Sequence, residues 1–332
     1  MKATIKDVAR YAGVSVATVS RYLNKSPLIA EASVEKVRRA IEALDYQPSM
    51  MARGLLHGNS KTVALAVDYD DSETYGNDYF LRIQYGLEHE LSKNGYYLMI
   101  CHIGGRNGAQ TLRALIHENR IDGLVLLSAL AGEEILRVVR ESCIPCVIAG
   151  RCDAPDAVWV DIDNISAGEL AAEKLLGTKP GTLGFLANSF DKTFVSERFS
   201  GYCRALENAG LCVDRSLVSD GLTDAGSIAE FVRSHFSSLC DAYVVSDSTI
   251  GFFFLRELSR RGIRVPEEVQ VIGFDDSVLA AAADPTMTVV EIDVTNLGKT
   301  AAKLLIAQLQ AETLCPGQNL LPARIIQRAS TK

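Results

Sequence analysis

The chain has 332 residues, 48% hydrophobic and 23% charged, which suggests two or three domains and excludes disordered or collagen-like classes. No apolar run approaches the roughly 20 residues of a membrane-spanning helix, and no apolar stretch follows Met1-Lys2, so no secretory signal and a cytoplasmic location are expected. The net charge of −7 is uneven: residues 1–60 carry nine Lys/Arg and five Asp/Glu, net +4, leaving net −11 on the remainder. A basic head on an acidic body suits a head that meets a polyanion.

Thr4-Ile5-Lys6-Asp7 reads as a helix start, with a capping hydroxyl and an acid three residues on. Ile5, Val8 and Ala9 supply its apolar stripe, and Gly13 its turn. Ser15 is the next N-cap, opening a short hydroxyl-rich helix in which Val19, Tyr22 and Leu23 face inward. A third helix is expected from about Glu31 to Leu44, with Val34, Val37, Ile41 and Leu44 on one face. Two short helices about a Gly-containing turn predict a helix-turn-helix whose slim polar face fits a major groove; a plain helical bundle is the alternative.

The wording of this head carries a resemblance. Ala3-Thr4-Ile5-Lys6-Asp7-Val8-Ala9 and Ala12-Gly13-Val14-Ser15-Val16-Ala17-Thr18-Val19-Ser20-Arg21 resemble the opening of the LacI/GalR family of transcriptional regulators. Tyr46-Gln47-Pro48-Ser49, Ala52-Arg53-Gly54-Leu55, Ile272-Gly273-Phe274-Asp275-Asp276 and Pro285-x-Met287-Thr288 extend it along the chain. The resemblance implies base-reading positions at Val16, Ala17 and Arg21, and phosphate-side contacts at Thr4, Ser15, Thr18, Ser20 and Asn24. Arginine can pair bidentately with guanine, and Val16 and Ala17 can offer apolar surface to a thymine methyl. Residues 48–58 resemble the family's hinge helix, which implies DNA contacts from Met50, Ala52, Arg53 and Leu55, the last wedged into the minor groove. Gly54 and Leu56 depart from the usual hinge pattern.

After Lys61 short β-rich runs alternate with amphipathic helices. Val63–Val67, Tyr97–Cys101 and Leu124–Leu127 read as buried strands, and Tyr79–Asn94 as a helix ending at Gly95; together they argue for parallel sheets covered on both faces. A duplication is legible. Gly86-x4-Leu91-x3-Gly95 recurs as Gly201-x4-Leu206-x3-Gly210, 115 residues on, and Asp122-Gly123-Leu124-Val125 recurs as Asp241-Ala242-Tyr243-Val244, 119 residues on. Ile144-Pro145 recurs as Val265-Pro266 at a prolyl offset of 121, so two similar α/β subdomains are expected.

Two lobes leave a cleft, and ligands sit beyond the carboxyl ends of parallel strands. The polar residues expected there are Asp68, Asp70, Ser128, Arg151, Asp161, Asp163, Ser246, Asp247 and Asp275; strand-end acids that only cap helices are the alternative for Asp163 and Asp276. Carboxylates and an arginine about an apolar wall suit a neutral, hydroxyl-rich ligand. The resemblance implies that Arg198 binds the effector and that Ser246 and Asp275 hydrogen-bond its hydroxyls. It also implies that Leu222 stands where an aromatic commonly stacks on the sugar. Asn77-Asp78-Tyr79-Phe80-Leu81-Arg82-Ile83 resembles the branch around the repressor of the evolved β-galactosidase operon, which implies that Asp78, Tyr79 and Phe80 line the wall and that a β-galactoside or related sugar binds.

The expected architecture is therefore α/β: an all-α helix-turn-helix head (1–46), a hinge helix and linker (47–60), and a two-lobed periplasmic-binding-protein-like body with parallel sheets. The first lobe is expected at 61–161 plus about 291–318, the second at 162–290 plus about 319–332. The expected function is a DNA-binding regulator, a repressor whose operator affinity answers to a small ligand. Its expected partners are double-stranded operator DNA, a sugar effector and a second copy of the chain, since no leucine-heptad tail follows Arg328. A cytoplasmic sugar-binding or sugar-processing protein with an accessory head is the alternative. The five histidines show no catalytic spacing, and neither G-x-S-x-G nor a phosphate loop occurs, so no enzyme is expected. Cys143-x-x-Cys146 lacks a second ligand pair, so neither metal nor cofactor is expected.

Overall fold

The computed structural model describes residues 3–23, 29–46, 59–68, 79–310 and 317–332. The head consists of α1 (Ile5–Ala12), α2 (Val16–Leu23) and α3 (Glu31–Ala43). Thr4 opens α1 with a reciprocal cap: its hydroxyl oxygen accepts from the Asp7 N–H, and the Asp7 carboxylate accepts from the Thr4 N–H at 3.0 Å. Gly13 ends the helix at φ +65°, a left-handed position that strains any side chain. The Ser15 hydroxyl then accepts from the Thr18 N–H at 3.1 Å and starts α2. Val8, Ala9, Ala12, Val19, Val37 and Ala40 close the small core.

The body contains two six-stranded sheets. The first, in the order β11-β5-β4-β3-β1-β2, is built from β1 (Thr62–Val67), β2 (Tyr97–His102), β3 (Gly123–Leu127), β4 (Cys146–Ala149), β5 (Val158–Ile162) and β11 (Gly317–Leu321). The second, in the order β12-β10-β9-β8-β6-β7, contains β6 (Leu183–Leu186), β7 (Val218–Ser219), β8 (Ala242–Val245), β9 (Gln270–Phe274), β10 (Thr288–Glu291) and β12 (Arg324–Ile326). Strand β12 runs antiparallel to β10, whereas β9, β8, β6 and β7 pair in parallel. Alternation along β8 explains its unbroken apolar run: Ala242 and Val244 enter one core, Tyr243 and Val245 the other.

Helices α4 (Tyr79–Lys93) and α12 (Val294–Leu309) pack on the first sheet. Helices α5 (Gly108–His117) and α6 (Glu133–Ser142) follow β2 and β3. On the second sheet α7 (Asn164–Leu176) and α8 (Thr193–Asn208) cover one face, and α9 (Ala225–Ser234) and α10 (Ser248–Arg260) the other. A short α11 (Val278–Ala282) follows β9.

The duplication has a packing cause. A Cβ on Gly86 of α4 would run into the Thr295 carbonyl, and one on Gly298 of α12 into the Ile83 carbonyl. In the second lobe a Cβ on Gly201 of α8 would meet the Ile165 carbonyl, and one on Gly168 of α7 the Arg198 carbonyl. Each lobe therefore holds one helix pair at backbone contact, which leaves room for hydrogen alone.

The chain changes lobes three times: from β5 into α7, from β10 into α12, and between β11 and β12. Asp163 and Asp293 sit at the first two crossings and cap α7 and α12, accepting from Ser166 N–H at 3.0 Å and Asn296 N–H at 2.9 Å. The capping alternative thus describes Asp163. The return to the second lobe comes a few residues later than the expected 318, because Leu320 and Leu321 still pair with Asp161 and Ile162.

Candidate functional site

The head presents one face made from the start of α2. Ser15, Val16, Ala17 and Arg21 are exposed there, with Thr18 and Ser20 half-buried. Positions 16 and 20, and 17 and 21, are one helical turn apart and project together. Val16 keeps 41% of its surface exposed, which costs solvation and suits an apolar contact with a base edge. Thr4 is exposed at the head of α1. In α3, by contrast, Arg38 and Arg39 both pair with Glu35, so these cations are partly neutralised within their own helix. Asn24, Met50, Ala52, Arg53 and Leu55, with the hinge as a whole, lie outside the described residues.

In the body the strand-end rule places the polar groups. Asp68, Ser128, Ser246 and Asp275 each directly follow the last residue of β1, β3, β8 and β9, and Arg151 follows β4 by way of Gly150. Beside Ser246 and Asp275 is Arg198 of α8, 4% exposed. Its Nε donates to Asn164 Oδ1 at 3.1 Å and its Nη1 to the Ser246 carbonyl at 2.7 Å. The guanidinium carbon lies 4.9 Å from the Phe194 ring centre and 4.4 Å from that of Phe274. Burial pulls the Arg198 pKa down to about 10 against the opposing pull of Asp247, Asp275 and Asp161, so the group remains a cation at neutral pH. Nη2 makes no hydrogen bond among the described residues and is the donor left for a ligand.

Asp161, within β5, accepts from its neighbours' backbone: Ile162 N–H at 2.7 Å and Arg151 N–H at 3.0 Å. Burial nevertheless raises its pKa to about 6, with Glu197 adding to the rise and Arg198 opposing it. Tyr79, at the start of α4, has its hydroxyl end buried within range of Asp161, Arg198, Asp275 and Arg82; desolvation holds that phenol protonated well above its usual range.

Other expected residues take different places. Phe80 is 3% exposed and continues the Ile83-Leu87-Leu91 stripe into the first-lobe core, because helical spacing turns it away from Tyr79. The cleft side of α4 falls to Tyr79 and Arg82, one turn apart. Leu222 is 5% exposed and packs in the second-lobe core with Ile228 and Phe231. The Ser246 hydroxyl accepts from Asn188 N–H at 3.2 Å and donates to Asp247 Oδ2 at 3.3 Å, so its protein partners already engage it. Asp247 caps α10 through Thr249 N–H and Ile250 N–H, both at 2.9 Å. Asp68 faces His102 at 3.8 Å, and Ser128 is exposed. Asp276 pairs with Arg328. Asp70 and Asp78 lie outside the described residues.

Sequence reasoning did not single out Asn164, Asn188, Glu197, Phe194 or Phe274. Arg82, Glu197 and Phe274 were read only as parts of motifs. The missed signals for Arg82 and Phe194 were their spacings of three from Tyr79 and four from Arg198, one helical turn in each case; the partners of Asn164, Asn188, Glu197 and Phe274 are distant in sequence. Among the described residues, no helix is long and apolar enough to cross a membrane.

Residues 4–49 match the model of bacterial regulatory proteins of the lacI family, and residues 154–331 match that of a periplasmic binding protein-like domain. The chain is 33% identical to the HTH-type transcriptional regulator CelR of Thermobifida fusca, covering 98% of both chains. It is 32% identical to the HTH-type transcriptional repressor PurR of Vibrio atlanticus, over 93% of this chain and 92% of the relative. Among solved structures, a CelR–cellobiose complex superposes with a TM-score of 0.73 at 30% identity, covering 99% of each chain. The lac repressor dimer bound to operator superposes with a TM-score of 0.83 at 22% identity, covering 100% of this chain and 99% of that one, a likeness of fold.

Proposed function

Because this chain belongs to the lacI family of bacterial regulatory proteins, a family of ligand-controlled DNA-binding transcription factors, we propose that it represses its target genes as a dimer and that a neutral sugar controls its hold on the operator. The single observation that carries the ligand class is the setting of Arg198: a buried, charged donor with one nitrogen unbonded among the described residues, near the Asp161, Asp247 and Asp275 carboxylates. Fixed donors beside fixed acceptors match hydroxyl groups, each of which both donates and accepts. A solved CelR structure is a complex with cellobiose, so a β-linked glucoside is the first candidate and a β-galactoside such as lactose the second. The proposed effector residues are Arg198, Asp161, Asp275 and Tyr79, with Phe194 and Phe274 supplying the apolar wall that Leu222 does not. The proposed DNA-contacting residues are Thr4, Ser15, Val16, Ala17, Thr18, Ser20 and Arg21. Such a protein acts in the cytoplasm and carries out no chemistry on its ligand.

A thermal-shift series with cellobiose, lactose and a set of nucleosides tests this reading. A ligand at a hundredfold excess over its Kd stabilises the fold by about 2.7 kcal/mol. Cellobiose or lactose is expected to raise the melting temperature and Arg198→Ala to abolish the shift while operator binding persists. A shift with nucleosides alone would overturn the sugar reading.

A further inference from the structure

Among the described residues two ion pairs join the lobes, and both have the same polarity. On the first lobe, Arg82 of α4 donates from Nη1 to Asp275 Oδ1, at the end of β9 on the second lobe. Likewise Arg151, beyond β4 on the first lobe, donates from Nη1 to Glu197 Oε1 of α8 on the second at 2.7 Å. Both cations therefore belong to the first lobe and both carboxylates to the second.

The pairs are partly shielded from water. Side-chain exposure is 20% for Arg82 and 16% for Asp275, and 40% for Arg151 against 14% for Glu197. Both carboxylates stand on fixed backbone. Asp275 is held at φ +73° by its N–H bond to the Val290 carbonyl at 3.0 Å and by the Ser277 N–H donating to its own carbonyl at 2.9 Å. Glu197 precedes Arg198 in the middle of α8. Separating the lobes must break both pairs, and each carboxylate adjoins a group assigned above to the effector.

We propose that Arg82 and Arg151 form a two-point latch that gates entry to the cleft, closing the first lobe onto Asp275 and Glu197 of the second. The proposal rests on the reading of the cleft as the effector site. Ligand can enter and leave only when the latch is open, so the latch slows both directions together. A direct ligand contact behaves differently, because its loss speeds departure alone. Arg82 thereby also engages Oδ1 of Asp275, a group assigned above to the effector.

The sole tryptophan, Trp159, lies in β5 two residues from Asp161 and reports on the cleft. Stopped-flow fluorescence of the full chain with cellobiose is expected to show association and dissociation both about five- to tenfold faster in Arg82→Ala, as the entry-competent fraction rises. Arg82→Lys, which keeps the charge, restores part of the delay. In wild type 1 M salt mimics the substitution, and in Arg82→Ala salt has little further effect. Faster dissociation with unchanged association would make Arg82 a ligand contact and overturn the latch.

A second measurement needs no ligand. By small-angle X-ray scattering, the double variant Arg82→Ala/Arg151→Ala is expected at low salt to reach the larger radius of gyration that wild type reaches only in 1 M salt. Identical radii under all conditions would overturn the latch even if the effector assignment stands. An effect of salt and substitution on the radius, with no response to any sugar, would instead leave the latch in place and overturn the ligand reading.

Discussion

Arg198 stays charged in a buried setting because two acceptors and three nearby carboxylates offset its desolvation. The Asp161 side chain is one of the three and is pushed the other way, to about 6, chiefly by burial. Between about pH 4 and 6 the folded protein thus holds a proton that an unfolded chain has released, and this group's contribution to stability falls as pH rises through that window. Effector binding has the opposite sign, since a sugar hydroxyl donating to Asp161 favours the ionised form. Affinity for cellobiose is expected to be flat above pH 7 and to weaken by up to about tenfold per unit below 6, with the slope removed in Asp161→Asn. Trp159 titrations from pH 5 to 8 check it; a slope that persists in the variant assigns the titration elsewhere. In the head, Arg21→Ala is expected to cost about 1–3 kcal/mol on operator and less on random duplex, as measured by competition binding. Equal losses would reduce Arg21 to a phosphate contact. The chain's wording announced Arg21 and Arg198, whereas Asn164, which orients Arg198, is 34 positions away and reaches it only through the crossing of α7 and α8.

The helix crossings explain which parts of the element plan were legible. Gly86 and Gly201 repeat because each lies where one helix backbone meets another, so the requirement is written at one position. Their partners, Gly298 and Gly168, satisfy the same contact from segments distant in sequence, and they repeat as well, because Asp163-x4-Gly168-x2-Ala171-Ala172 recurs as Asp293-x4-Gly298-x2-Ala301-Ala302, a pattern the sequence reading passed over. Gly86→Ala and Gly201→Ala are each expected to destabilise the body by about 1–3 kcal/mol through forced separation of the helices. Gly132→Ala, where a Cβ meets nothing within 4 Å, is expected to be near neutral. Urea denaturation of the three variants tests the contrast, and equal midpoints would mean that the helices can shift apart at little cost. Strand ends were legible for a related reason: an apolar run must stop where the sheet meets solvent, which marked Asp68, Ser128 and Asp275. The lobe-to-lobe ion pairs were not, because Arg82 and Asp275 are separated by 193 positions.

For the molecule as a whole, one helix-turn-helix per chain predicts a two-fold operator. A duplex with a single half-site is expected to bind at least about a hundredfold more weakly than the full palindrome, and affinity to fall with salt at a log–log slope of about −0.9 per phosphate neutralised. Equal binding of half and full sites in a gel-shift titration would contradict the dimeric reading. The charge imbalance between head and body was readable as arithmetic, and the threefold passage of the chain between the lobes was already part of the expected domain bounds. That passage bears on biosynthesis. Strand β5 gains its outer neighbour β11 only when the ribosome has added roughly 160 further residues. At about 5–20 residues per second the wait is on the order of 10–30 s, during which the apolar edge Val158–Ile162 lacks its native cover. Both lobes finish their sheets at the end of the chain, the second with β12, but β12 follows its neighbour β10 after one helix and one strand, so that edge waits far less. Nascent chains stalled just short of residue 317 should be cleaved by protease near β5 and bind a chaperone, whereas chains released at full length should resist both.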